Sequence, residues 1–285
     1  MEDVRSDNNT SLMGQEVHQY DYDRWLTTLF APAEVRESLF TLLAFNIELS
    51  RIRETVSEPM LGDIRLQWWR EAISGLQNGF PKSHPVIEAL DFVNRQKSVD
   101  FGLMLDMIDI RSKDLDPAPM TDDTDLLAYA DGTGGALHRL MLPLLGVEAS
   151  SAVLEAANLA GRVFALTGII RAIPFHYRHN LVLLPVNRMA AIGVTRDTVF
   201  QIEHQDNYRG IVAELCKLAE KSLQEAHLAG KSMSHDGRPV LLINALSALY
   251  LKRLRKAGFE PAHPGLTIGS PRKILGLSLY RMRRG

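Results

Sequence analysis

The sequence predicts an all-α fold. Three observations lead there: apolar residues recur at helical spacing through nearly the whole chain, no strand–helix alternation or fixed-period repeat interrupts them, and prolines and glycines fall where helices would start or stop. Of 285 residues, 46% are hydrophobic and 23% charged, the balance of an ordinary globular protein with a sizeable core. The formal net charge of −2 offers no global field for nucleic acid, so no nucleic-acid partner is expected. A single cysteine, Cys216, excludes an internal disulfide framework and a cysteine-rich zinc site. Its neighbours Glu214, Leu215, Lys217 and Leu218 pattern as an amphipathic helix, which gives the thiol a packing role.

Taken in order, residues 1–19 are polar, with Glu2, Asp3 and Asp7 early, and are expected to form a disordered leader. That segment has no apolar core for a secretory signal and is too acidic for a mitochondrial presequence. From Asp23 to Val56 the apolar set Leu26, Leu29, Phe30, Leu39, Leu42, Leu43, Ile47 and Leu49 is helical, broken at Pro32. Pro59 and Gly62 mark a turn before a helix over Asp63–Leu76, on which Ile64, Trp68, Ala72 and Ile73 share a face. Trp68 and Trp69 are adjacent and diverge by about 100°, so one belongs in the core and the other near the surface. Asn78-Gly79-Phe80-Pro81 stops that helix.

Further helices are expected over residues 84–95, 101–114, 123–145, 149–173, 195–201, 207–229 and 239–256, with Pro117-Ala118-Pro119 separating two of them. Asp122, Asp123 and Asp125 look like a metal cluster but stand at a helix start, where capping and the helix dipole account for them. Gly132-Thr133-Gly134-Gly135 lacks the Lys-Ser/Thr of a phosphate loop, so close helix packing is the better account. Only residues 180–186 look extended. The segment 271–284 mixes Ile274, Leu275, Leu277, Leu279 and Tyr280 with Arg272, Lys273, Arg281, Arg283 and Arg284. Such a basic amphipathic helix suits either an anionic membrane or a dock on the bundle. No stretch approaches the roughly 20 uninterrupted apolar residues of a membrane span. The expectation is therefore one domain over residues 20–285 of a cytoplasmic protein, peripheral at the inner face of the membrane if the C-terminal helix binds lipid.

Two segments are more specific than a generic helix. One runs Ala44-Phe45-Asn46-Ile47-Glu48-Leu49-Ser50-Arg51-Ile52-Arg53-Glu54, with Arg65-x-Gln67-Trp68-Trp69-Arg70 after it. The other is Gly168-Ile169-Ile170-Arg171-Ala172-Ile173-Pro174-Phe175-His176, leading to Leu183-Leu184-Pro185. With Tyr129-Ala130-Asp131-Gly132-Thr133-Gly134-Gly135 and Tyr250-Leu251-x-Arg253-Leu254 between and after them, the order and spacing resemble the squalene/phytoene synthase family over almost the whole chain from Tyr20. The resemblance implies an isoprenoid-synthase-type helical bundle around a central apolar cavity. It also implies head-to-head joining of prenyl diphosphates, with magnesium held by DxxxD-type motifs on facing helices. Residues four apart share a helix face, and hard cations on carboxylates neutralise a leaving diphosphate.

This chain departs at those positions. The first motif aligns as Ser50-x-x-x-Glu54 and keeps one carboxylate; the second aligns as Ala172-x-x-x-His176 and keeps none. Upstream, Ala165 and Gly168 stand where the family has a polar Gln-x-x-Asn pair. One carboxylate does not clamp a magnesium cluster, so no cofactor and no catalytic residue are expected. Magnesium returns only under the alternative of an active prenyl transferase built on Glu48, Glu54 and acids elsewhere. Pro174 is expected to bend or end the helix carrying the second motif. His176 and His179 are spaced as metal ligands, but a histidine hydrogen-bonded at a cavity mouth is the simpler reading. Arg51, Arg53 and Arg171 are candidates for binding an anionic or lipid head group, against the plainer account of a solvated face with local ion pairs. Arg178 is a further arginine of the same kind. The substitutions resemble the branch containing the mitochondrial complex I assembly factor of this family. They imply a bacterial relative acting by binding, with a respiratory complex I subunit or assembly intermediate as partner and a lipid or isoprenoid ligand. A scaffold with its cavity packed shut is the remaining alternative.

Overall fold

The computed structural model describes residues 11–116, 120–179, 181–201, 204–267 and 269–284, and no β-strand occurs among them. Ser11 opens the described chain as an N-cap, its hydroxyl accepting the Gly14 N–H at 2.9 Å, and α1 (Leu12–Tyr20) follows. This departs from the disordered leader expected over 1–19. Met13 and Val17 bury one face of α1 beside α3 (Ala33–Ser50), so two apolar anchors in a polar segment suffice to order it. Residues 1–10 of that leader, and Pro117-Ala118-Pro119, lie outside the described residues.

Asp21 caps α2 (Tyr22–Thr28), and Pro32 sets the start of α3. From Leu39 to Ile47 every residue of α3 is buried, which makes it a core helix with no polar face in that stretch. A short α4 (Ile52–Thr55) carries Arg53 and Glu54. Next comes α5 (Pro59–Gln77), in which Pro59 is the first helical residue rather than part of a turn. Its buried face runs through Gly62, Leu66, Trp69, Ile73 and Leu76; Ile64 is exposed, so the face is rotated from the one expected. Trp69 is buried and Trp68 half-buried, in edge-to-face contact.

After α6 (Pro85–Gln96) and α7 (Phe101–Ile110), a 3₁₀ turn over Arg111–Leu115 ends that layer. Asp122 caps α8 (Asp123–Ala130) by accepting the Asp125 N–H at 2.9 Å. Asp123 pairs with Arg188 at 2.6 Å, and Asp125 with Lys113 at 3.3 Å, so the acidic cluster is spent on capping and ion pairs. A π-turn at Asp131–Gly135 joins α8 to α9 (Ala136–Leu144).

The longest helix, α10 (Ser151–Arg178), passes through Pro174 without ending there. Proline removes one backbone bond, but Ile169, Ile170 and Ile173 on the preceding turn are buried, and their apolar contacts hold the helix together across the gap. By length and composition α10 is the one described helix apolar enough to cross a bilayer, yet 67% of its most apolar window is buried inside the bundle. It lies between two apolar regions, contributing Ala156, Ala160 and Phe164 to one and Leu159, Val163, Leu166 and Ile170 to the other.

Beyond α10, residues 181–185 are a buried segment without regular structure, forming no strand; Asn180, the first residue of the stretch expected to be extended, lies outside the described residues. α11 (Val186–Ala191) follows. Residues 195–201 form turns instead of the expected helix; within them the Thr198 hydroxyl accepts the Thr195 N–H at 3.0 Å. α12 (Gln205–Ala229), α13 (Arg238–Leu241), α14 (Ile243–Lys256) and α15 (Ser270–Arg284) complete the bundle, with α12 and α14 packed on α10.

Candidate functional site

A cavity of about 460 Å³ opens between the C-terminal end of α3, α4, the second half of α10 and the Arg111–Leu115 turn. Ser50, Glu54, Ala172 and His176 all line it, so the two motif positions face one space. Helical geometry explains the second pair, since Ala172 and His176 lie four apart on α10; Ser50 ends α3 and Glu54 lies on α4, and the turn at Arg51 brings both to the same space. Ala165 and Gly168 line it as well, two turns and one turn before Ala172 respectively.

The three candidate arginines part company. Arg51 lines the cavity, stacked on the Tyr20 ring at 3.7 Å and lying 3.9 Å from Glu54 and 3.8 Å from Glu16. Arg53 is not among the lining residues; its guanidinium donates to the His179 carbonyl at 2.9 Å, tying α4 to the C-terminus of α10. Arg171 is also diverted, over the Tyr250 ring at 3.5 Å and 3.6 Å from Asp23. Of these contacts only Arg51–Glu54 is a local ion pair; Arg53 binds a backbone carbonyl, and Arg171 pairs with an acid from a distant helix.

His176 departs from the expected hydrogen-bonded histidine. Its Nδ1 is buried without a hydrogen-bond partner, and burial, with His179 and Arg111 nearby, pushes its pKa down to about 4. It therefore stands neutral at ordinary pH. His179 turns away, its Nδ1 2.9 Å from the Phe175 carbonyl, and Arg178 donates to the Pro174 carbonyl at 3.2 Å.

Sequence reasoning missed the polar floor of the cavity. Arg111 donates to the Tyr129 hydroxyl at 2.9 Å and to Asp114 at 3.2 Å, and reaches Asn46 Oδ1 at 3.3 Å. Tyr129 in turn donates to Asp114 at 2.5 Å. Burial holds the Tyr129 hydroxyl protonated well above its usual range, so it stays a donor. Burial alone would lower the Arg111 pKa, but Tyr129 and Asp114 outweigh it and the guanidinium stays charged. Asp21 and Arg24, paired at 2.7 Å, come in from the α1–α2 junction. Asn46 and Tyr129 sit inside the segments that carry the family resemblance. Nothing in the local pattern marks Arg24, Arg111 or Asp114.

This donor set does not fit a magnesium cluster. The carboxylates lining the cavity are Asp21, Glu54 and Asp114, and each has an arginine beside it: Arg24, Arg51 and Arg111. Among the described residues no three His, Cys, Asp or Glu side chains come together as metal ligands. Three arginines beside three acids leave a polar, charge-balanced wall, continued by Ile47, Phe164, Ile169 and Leu183 as apolar wall.

Comparison with known proteins places this geometry. The family model described as squalene/phytoene synthase matches residues 17–272. The chain is 30% identical over 260 residues to the Bos taurus NADH dehydrogenase (ubiquinone) complex I, assembly factor 6, covering 91% of this chain and 77% of that protein. Phytoene synthase 1 of Arabidopsis thaliana is more distant, 22% identical over 272 residues, covering 93% of this chain and 64% of that protein. Among solved structures, a dehydrosqualene synthase in complex with ligand superposes with a TM-score of 0.81 at 19% identity, covering 95% of this chain and 94% of that one. The isoprenoid-synthase-type helical fold is thereby shown.

Proposed function

This chain belongs to the squalene/phytoene synthase family, and from that premise we propose that it acts by binding rather than by prenyl transfer, in the assembly of respiratory complex I, with a lipid or isoprenoid held in the cavity. One observation carries the reading: Ser50/Glu54 and Ala172/His176 face each other across a cavity in which every lining carboxylate is matched by an arginine. Ionisation of an allylic diphosphate needs hard cations on several oxygens, and acids already neutralised by guanidinium groups are poor hosts for them. The complex I part rests on likeness to relatives that carry that name.

What the site keeps is a place for an amphiphile. A cavity of about 460 Å³ lies within the ordinary range for small-molecule sites, roughly 300–1,000 Å³. In this reading the head group meets Arg51 and the Arg111–Asp114–Tyr129 network, while the tail lies along the apolar wall. Arg53 and Arg171 hold the helices that frame the site. No metal and no covalent step are involved.

The test has two arms. Purified protein incubated with farnesyl or geranylgeranyl diphosphate, with and without magnesium, should release no diphosphate. Deletion of the gene in the native organism should lower assembled complex I and its NADH-oxidising activity. Robust magnesium-dependent turnover would overturn the non-catalytic reading, and normal complex I in the deletion strain would overturn the assembly role.

A further inference from the structure

The C-terminal helix α15 docks on the bundle by one edge only. At 100° per residue, Lys273, Leu277 and Tyr280 fall within an arc of about 60° and face inward. Leu277 is fully buried, Lys273 Nζ lies 2.6 Å from Asp23 Oδ1, and the Tyr280 ring meets His227 at 6.1 Å between centroids. The opposite arc carries Ile274, Leu275, Leu279 and Met282, which are 45%, 60%, 40% and 71% exposed. Arg272 and Arg281 flank that arc on its two sides, and both are exposed.

Charge sets this face apart. Residues 270–284 hold five arginines and lysines and no acid, in a chain whose formal net charge is −2. Beside the helix, a second cavity of about 720 Å³ is lined by Arg36, Lys231, Arg238 and Arg281, with Asp236 as the one acid among its lining residues. A dock between helices would bury the apolar arc, and here it faces water. An apolar stripe bordered by arginines matches the layering of an anionic bilayer surface: side chains at the acyl boundary, guanidinium groups among the phosphates.

We propose that α15 is an interfacial helix seating the protein on a bilayer of anionic phospholipids. The apolar arc enters the acyl boundary, and Arg272 and Arg281 meet phosphates at either side. The cations around the second cavity add to the positive potential of the same face. Lys273 keeps the helix fixed to α2 and α14 through Asp23 and Tyr250, so the membrane meets a helix already formed. The seat is separate from the motif cavity and does not depend on what that cavity holds.

The full-length protein is tested by co-sedimentation with vesicles of phosphatidylcholine alone and of phosphatidylcholine mixed with phosphatidylglycerol. It should bind the anionic vesicles and lose that binding as salt rises. Leu275→Glu/Leu279→Glu changes exposed residues only, so thermal melting should be unaltered while partitioning falls on the order of tenfold or more. Arg272→Glu/Arg281→Glu should lose the preference for anionic over neutral vesicles. The proposal is overturned if the wild type ignores anionic vesicles or binds both kinds equally. It is equally overturned if the leucine variant partitions unchanged, or if the apolar arc instead joins two copies of the chain, seen as a dimer that the leucine variant dissociates.

Discussion

Gly161→Ala should destabilise the protein through backbone collision alone. Gly161 on α10 faces the π-turn at Asp131–Gly135, and a Cβ added there would stand 2.7 Å from the Gly135 nitrogen and closer still to the Gly134 carbonyl. Neither obstacle is a side chain that can rotate away. Restoring contact distances of about 3.5 Å requires the two segments to part by on the order of 1 Å, which forfeits a quarter to a half of the dispersion energy along that interface. Overpacking of this kind costs about 1–3 kcal/mol, and rigid backbone puts this site at or above the top of that range. Replacing a helical glycine returns about 0.5–1 kcal/mol. The net expectation is a loss of about 2–3 kcal/mol, or about 3–5 °C in melting temperature for a chain of this size. Gly168, two turns later on the same helix, is the control: nothing lies within 4 Å of its added Cβ, which would project into open space. Gly168→Ala should therefore melt at the wild-type temperature or slightly above. Both are read by thermal melts followed by far-UV circular dichroism. A Gly161→Ala protein as stable as Gly168→Ala would refute the claim that close backbone approach at Gly134 and Gly161 fixes this face of the cavity.

Removing the acid of the cavity floor should be severe: Asp114→Ala leaves the Arg111 guanidinium buried beside a tyrosine that has lost its acceptor, at a cost of about 3–5 kcal/mol by urea unfolding. Two buried histidines should make the fold acid-sensitive. His176 and His138 are held to about 4 and about 3, chiefly by burial, while the unfolded chain takes up those protons near the ordinary histidine value of about 6.5. Stability is then full above that value and declines as pH falls from it, at about 1.4 kcal/mol per pH unit for each histidine, before most carboxylates titrate. Melting temperatures across that window should fall for the wild type and flatten for His138→Gln/His176→Gln; a flat wild-type profile would contradict the assignment. Cys216, buried and with its thiol pushed up to about 12, should resist iodoacetamide in the native state and react on unfolding.

Most of the helices, the Asp122 cap and the two motif segments were legible from local pattern. Periodicity locates an apolar face, and residues four apart must share it, so Ser50 with Glu54 and Ala172 with His176 were tied together before any packing was known. Asp122 as a cap and the small residues at 132–135 were equally local matters. Errors fell where a tertiary contact decides the outcome. Met13 and Val17 order α1 only because α3 is there to receive them. Pro174 sits within α10 because buried isoleucines around it outweigh one missing bond. Arg53 and Arg171 look like Arg51 in sequence, yet a helix C-terminus and a tyrosine ring claim them, while Arg24 and Arg111 supply the charge at the cavity instead. A side chain's neighbours within one turn are fixed by helix geometry. An arginine's partner is fixed by which distant acid, carbonyl or ring the fold brings within reach, and that is a property of the bundle as a whole.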